Sequence, residues 1–262
     1  MRRVETSEEK GALQQRYQQA EAAAVARGAK DAFEKFAATV AHSRAVMACT
    51  IDKLLPVANG HTELYPAYND WLKLRFTFDP ERGQTDWHDL RGHAEWTLFK
   101  IKGEPVVHYA ALSADGLSAP GYGECHITLK THMVAHRATT FEGNSAVWLR
   151  DRNYQLPPGF RAIWADRHKH ACAKLGDQLR PRTSESEFPG ILLKPGPTAL
   201  DHEFIEVHIY GPLTVCTFES VKLATATAAQ GAAKRSRKRL GQTLPDAIQK
   251  LFAQAKIPVQ PK

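Results

Sequence analysis

The sequence predicts an α+β fold: a β-rich core between a helical N-terminal annex and a helical C-terminal tail. Residues 1–102 are patterned mainly at helical spacing. At Gly103-Glu104-Pro105 the character changes, and residues 103–222 carry short β-rich runs punctuated by Gly and Pro. Residues 223–262 return to a basic, helical composition. The strands follow one another around a single interior helix instead of alternating with helices, which favours α+β over a doubly wound α/β sheet.

Element by element, residues 7–27 read as a helix. Ser7 is placed to cap it, Glu8 and Glu9 sit in the first turn, and Gly28 ends it. Its Ala/Gln-rich face has few large apolar residues and suits an exposed or partner-binding helix. A second helix is expected over 29–55, with Phe33, Phe36, Val40, Val46 and Leu54 near helical spacing and Pro56 as the stop. Apolar stretches follow at 71–78 and 87–99. The core strands are expected at 106–111, 125–129, 145–149, 191–193, 204–209 and 213–218, with the interior helix over 161–179. The most regular is the run from Phe204, where Ile205, Val207 and Ile209 alternate with Glu206, His208 and Tyr210 until Gly211-Pro212 interrupts them. Glu206 and His208 therefore share one strand face. An amphipathic helix over 244–255 closes the chain, and no internal repeat interrupts it.

The 262 residues are 43% hydrophobic and 24% charged, enough to bury a sizeable core in one large domain. No apolar run approaches the roughly 18 residues that span a bilayer, and no signal-peptide pattern follows the basic start. Cys49, Cys125, Cys172 and Cys216 are scattered without CxxC spacing, as in a reducing, cytoplasmic compartment. A net charge of +7 points to acidic partners, nucleic acid first, and residues 234–239 (KRSRKR) concentrate it. Such a run serves either as a solvated helix face or as a phosphate-contacting patch.

Phosphate loops of the GxGxxG and GxxxxGK[ST] types are absent, as are GxSxG and HExxH. Asp166-Arg167-His168-Lys169-His170-Ala171-Cys172 holds three metal-capable side chains, but on a helix they splay round the axis. His88 and His93 carry the same caution. His108 and Tyr109 on a strand point to opposite faces, so only one of them serves a shared cleft. Tyr122 precedes a strand, and Arg137, Thr139, Thr140 and Ser145 follow in a donor-rich segment suited to a diphosphate or ribose, a composition turns also favour.

Taken together, YGECHITLK, HRATTFEGNS and DHEFIEVHIYGPLTV resemble the ADP-ribosyltransferase-like domains of bacterial toxins and effectors. The resemblance spans roughly residues 104–222, and its most specific part is the late strand, similar to (I/V)EAQ(I/V)xG. It implies a split β-sheet clasping NAD as substrate, with no metal. By position it makes Glu206 the catalytic glutamate, which would hold the nicotinamide ribose 2′-OH. His108 would be the first-strand NAD-binding residue, Tyr122, Thr139, Thr140 and Ser145 the pocket wall, and Arg137 the pyrophosphate contact. Phe204 stands where arginine-specific members carry Glu or Gln, so the acceptor stays open.

The expected function is thus NAD-dependent ADP-ribosyl transfer, or NAD glycohydrolysis, by an intracellular toxin or defence effector. RNA is the favoured acceptor, and a protein is the other. An antitoxin or chaperone would dock on the first helix. Two alternatives come from other classes. One is a metal-dependent nuclease built on residues 168–172 with His202 or His208, and the other is a non-catalytic nucleic-acid-binding protein using the basic run.

Overall fold

In the computed structural model, the described residues are 6–58, 64–67, 86–99, 106–198 and 200–223, with positions 250, 253 and 259–260. Helix α1 (Ser7–Ala26) is capped by Thr6, whose hydroxyl accepts from the Glu9 N–H at 3.2 Å. Helix α2 (Lys30–Ala41) buries Phe33, Phe36 and Val40. The expected helix over 29–55 ends here, because Arg44–Cys49 is strand β1 and the chain turns helical again only in α3 (Ile51–Ala58), which contains Pro56. Ala45, Val46, Met47 and Cys49 are all buried, so this central strand reads as a continuous apolar run without alternation.

Helix α4 (Asp86–Phe99) agrees with expectation, as do β2 (Val107–Ser113) and β3 (Cys125–Leu129). A short helix α5 (Thr131–Val134) leads into β4 (Ala138–Phe141), a strand where only a turn had been expected. Conversely, the strand expected at 145–149 is helix α6 (Ser145–Arg150), because Asn144 caps it through its side-chain oxygen. The interior helix expected over 161–179 is shortened to α7 (Arg167–Leu175), preceded by strand β5 (Arg161–Ile163). Helix α8 (Phe188–Leu192), the hairpin of β6 (Leu193–Lys194) and β7 (Glu203–Phe204), β8 (Glu206–Tyr210) and β9 (Phe218–Leu223) follow. In place of the strand expected at 213–218, residues 215–217 form a helical turn before β9 begins. A short β10 (Val259–Gln260) lies parallel to β9. The apolar stretch at 71–78, most of the helix expected over 244–255, and the basic run 234–239 lie outside the described residues.

Eight of the strands form one mostly antiparallel sheet in the order β10-β9-β3-β1-β2-β8-β4-β5, and β6 and β7 pair apart from it, so the α+β class holds. A boundary at 102/103 does not: β1, from the expected helical annex, pairs with both β2 and β3 in the centre of the sheet. Strand β2 joins two halves. Its residues 111–113 pair with β1 and its residues 107–111 pair with β8, so Ala111 alone is shared by both registers.

Pairing register also assigns the faces, because directly opposed residues project to the same side. One face carries Met47, Ile127, Leu112, Ala110, Val207 and Ile209, and packs under α1, α2, α3, α7 and α8 in the main core. The opposite face carries Tyr109, Phe141, Glu206, His208 and Tyr210. Here a smaller cluster of Ala94, Leu98, Phe99, Val107, Phe141, Ala146 and Leu149 packs α4 and α6 against the sheet. Among the described residues no helix is long and apolar enough to cross a membrane.

Candidate functional site

Glu206 stands opposite Ala111, the point where the two halves of the sheet part, and opposite Phe141 on the other side. It is only 3% exposed. Its Oε2 accepts the Ser145 N–H at 2.7 Å, and His208 Nε2 lies 3.1 Å from the same oxygen. A carboxylate only accepts, so the His208 nitrogen facing it carries the proton. The Arg91 guanidinium, from α4, pairs with Oε1 at 3.5 Å. Burial by itself would raise the pKa of this carboxyl. Arg91, His208 and the Ser145 N–H together outweigh that effect and hold it at about 2. Glu206 is therefore a fixed anion at any physiological pH.

The surroundings lock this anion in place. The His208 imidazole stacks on Phe141 at 5.7 Å and meets the edges of Phe99 and Tyr109, each at 5.4 Å. Arg91 donates to Ser145 Oγ at 2.9 Å, and its guanidinium lies 4.3 Å from the centroid of the Tyr109 ring. Burial keeps the Tyr109 phenol well above its usual pKa, so its O–H is intact and donates to Glu95 Oε1 at 2.6 Å. Asn144 bridges outwards, capping α6 with Oδ1 while Nδ2 donates to the Tyr122 hydroxyl at 3.2 Å. Tyr122, 38% exposed, is the outer member of the constellation. Burial first and the Glu206 charge second raise its pKa. Beyond Asn144 opens a cavity of about 600 Å³, walled by Glu142, Trp148, Lys174, Pro195 and His202.

The structure brings together Glu206, Ser145 and Tyr122. Thr139 lies on the same sheet face, paired with His208 and 3.3 Å from the Tyr210 hydroxyl, but two rungs further along. The remaining candidates fall elsewhere. His108 pairs with Ile209 and faces the main core, and its Nε2 has no hydrogen-bond partner among the described residues. Thr140 also faces that core, where its hydroxyl meets His170 Nδ1 at 2.8 Å. Arg137 donates to the carbonyls of Tyr210 at 2.5 Å and Pro212 at 2.9 Å, and so pins the Gly211-Pro212 turn. His108, Thr140 and Arg137 therefore do not share a cleft with Glu206. Strand parity separates the first two, and the third is engaged by backbone.

Sequence reasoning missed Arg91, Asn144 and Tyr109 as members of the site. Asn144 had a legible signal, a capping residue before an apolar run. Tyr109 was open by strand parity, once Glu206 fixed which face mattered. Arg91 gave none, since only the packing of α4 on the opposite face brings it to Glu206. The 168–172 cluster disperses as its helical spacing implies: His170 and Cys172 are buried, while His168 is half-buried. His170 is fully engaged by Thr140 and by Glu142, 3.0 Å away. Among the described residues no three metal-capable side chains converge. No protein-family model matches the chain, and no curated protein matches it.

Proposed function

We propose that this protein transfers ADP-ribose from NAD, or hydrolyses NAD, with Glu206 as the catalytic carboxylate. The observation that carries the reading is geometric: a carboxylate buried on β8 at the parting of two sheet halves and held by the Ser145 N–H, His208 and Arg91, which keep its pKa well below the usual carboxylate range. Such a group is useless as a proton shuttle near neutrality, because it never takes the proton up. Its chemistry is electrostatic: it stabilises a positive charge that develops beside it.

Cleavage of the nicotinamide–ribose bond makes that demand. The C1′–N bond breaks and its electron pair goes to the pyridinium nitrogen, leaving neutral nicotinamide without acid catalysis. The ribose acquires oxocarbenium character, which a fixed anion favours. An acceptor hydroxyl, amine or water then bonds to C1′ and releases its proton to solvent. Ser145 and His208 hold the carboxylate, and Tyr122 with Asn144 lines the outer approach. The parting of the sheet at Ala111 is consistent with the split-sheet core that the resemblance implies. The positive charge of the chain favours a nucleic-acid acceptor, RNA first, with protein as the other arm, and the setting we infer is an intracellular toxin or effector.

The test is nicotinamide release from NAD by wild-type protein and by Glu206→Gln, which keeps shape and removes charge, with RNA, DNA or cell lysate as acceptor. We expect turnover that falls about a hundredfold or more in the variant. Absence of turnover with every acceptor, or full turnover by Glu206→Gln, refutes the reading.

A further inference from the structure

We infer that the place held by the Arg91 guanidinium is a binding site for a planar organic cation, and that Arg91 is its internal occupant. The slot has three complementary walls. The Tyr109 ring face lies 4.3 Å from the guanidinium carbon, Glu206 Oε1 is 3.5 Å from Nη1, and Ser145 Oγ accepts from Nη1 at 2.9 Å. An aromatic face, a fixed anion and a hydroxyl acceptor together select a flat, delocalised cation over a compact, strongly hydrated one.

The walls are held by groups other than Arg91. Glu206 Oε2 is engaged by Ser145 N–H and His208, which leaves Oε1 turned to the slot. Tyr109 is tied by its hydroxyl to Glu95 and braced by the edge of His208. Asn144 fixes the α6 turn that presents Ser145. Removing the guanidinium therefore leaves a formed receptor with a missing cation, not a collapsed surface. Only the Arg91 side chain has to leave: α4 also carries Glu95, which holds Tyr109, and stays packed through the smaller of the two major apolar clusters.

This inference rests on the transferase reading for its physiological ligand. The pyridinium ring of NAD is a planar cation, and the described state is then self-occluded: substrate enters only as Arg91 leaves. Any ligand that wins the slot does so by differential affinity for the state with Arg91 displaced.

The experiment measures binding of 1-methylnicotinamide to wild type, Arg91→Ala, and Arg91→Ala with Glu206→Gln, by titration calorimetry. We expect binding to tighten by about tenfold or more in Arg91→Ala and to return to the wild-type level in the double variant. Equal affinity in wild type and Arg91→Ala, or a gain that survives Glu206→Gln, overturns the inference. Should Arg91→Ala fold poorly, low-millimolar guanidinium should restore its melting temperature while methylammonium does not; rescue by neither, or equally by both, also overturns it. Cation binding without nicotinamide release keeps the slot and sinks the transferase reading. Nicotinamide release with no gain in cation binding does the reverse.

Discussion

His108 and Glu206 lie on neighbouring strands and differ in fate through parity alone. Glu206 faces Arg91, His208 and a backbone N–H, while His108 faces the main core beside Tyr65, 5.8 Å between ring centroids. Burial first, and the Arg137 charge second, depress the His108 pKa from 6.5 to about 4. The unfolded chain thus takes up this proton near pH 6.5 and the folded chain only near 4. Folded stability falls as pH drops through that window, by at most about 3 kcal/mol. Glu206 and Glu142, held at about 2 against an ordinary 4.5, lose their contributions lower, between about 4.5 and 2. We therefore expect His108→Leu to match or exceed wild-type stability at pH 7, since it removes an unpaired buried nitrogen, and to flatten the melting-temperature profile between pH 6.5 and 4. An unchanged profile, or marked destabilisation at neutral pH, would show that His108 has a polar role the packing hides. At this scale the sequence was partly legible: alternation put Glu206 and His208 on one face, but which face of β2 met them depended on register, which no local pattern encodes.

At the scale of elements, the turn from Glu142 to Ser145 links β4 to α6 and serves both sides of the sheet. Ser145 holds Glu206 on one side. On the other, Glu142 accepts from Arg16 of α1 at 2.8 and 3.2 Å, and from His170 of α7 at 3.0 Å, while His170 takes the Thr140 hydroxyl on its other nitrogen. Burial would raise the Glu142 pKa, but His170 and Arg16 bring it to about 2. A double-mutant cycle of Arg16→Met and Glu142→Gln should reveal this tie. Each single variant is expected to lose about 2–4 kcal/mol of unfolding free energy, since each strands a charged or polar partner, and the double variant to lose less than the sum by about 1–3 kcal/mol. Strict additivity in denaturant unfolding would mean the pair is not coupled. The sequence concealed this hub because Ala138-Thr139-Thr140-Phe141 is a four-residue strand set in polar flanks, and Ser145–Leu149 is too short for periodicity to separate helix from strand. Only the Asn144 cap distinguishes them. Likewise β1 was absorbed into a helix, because a strand buried on both faces has no alternation to display.

The whole molecule is closed by α1, which the sequence presented as an annex with a thin apolar face. Its only buried side chains are Leu13 and Ala24, so the apolar pattern gave little warning of its role. The attachment joins the packing of Tyr17, Ala20 and Ala24 on the main core to long-range polar ties, and pairings across more than a hundred residues leave no mark on local sequence. Glu9 accepts from the Gly159 N–H at 2.8 Å and pairs with Arg161 at 3.1 Å. Arg16 reaches Glu142 and the Gly159 carbonyl, and Arg27 the Gly176 carbonyl at 2.8 Å. Gly159 is the closest point of this dock. Its φ of +82° suits glycine, and a Cβ there would come 2.8 Å from the Ala12 carbonyl carbon and the Leu13 nitrogen. Gly159→Ala therefore forces both backbone strain and separation of α1 from β5, and we expect it to destabilise by about 2–4 kcal/mol. Removing residues 1–28 should go further and abolish cooperative unfolding, because Glu142 and Arg161 lose their partners in ion pairs that are no more than one-fifth exposed. The two variants, followed by thermal and denaturant unfolding, separate the possibilities. If the truncated chain melts as sharply and as high as the full chain, α1 is a removable annex free to dock a partner. If it does not, and Gly159→Ala shifts the transition in the same direction, α1 is part of the fold, and any partner binding measured by deleting it reports unfolding.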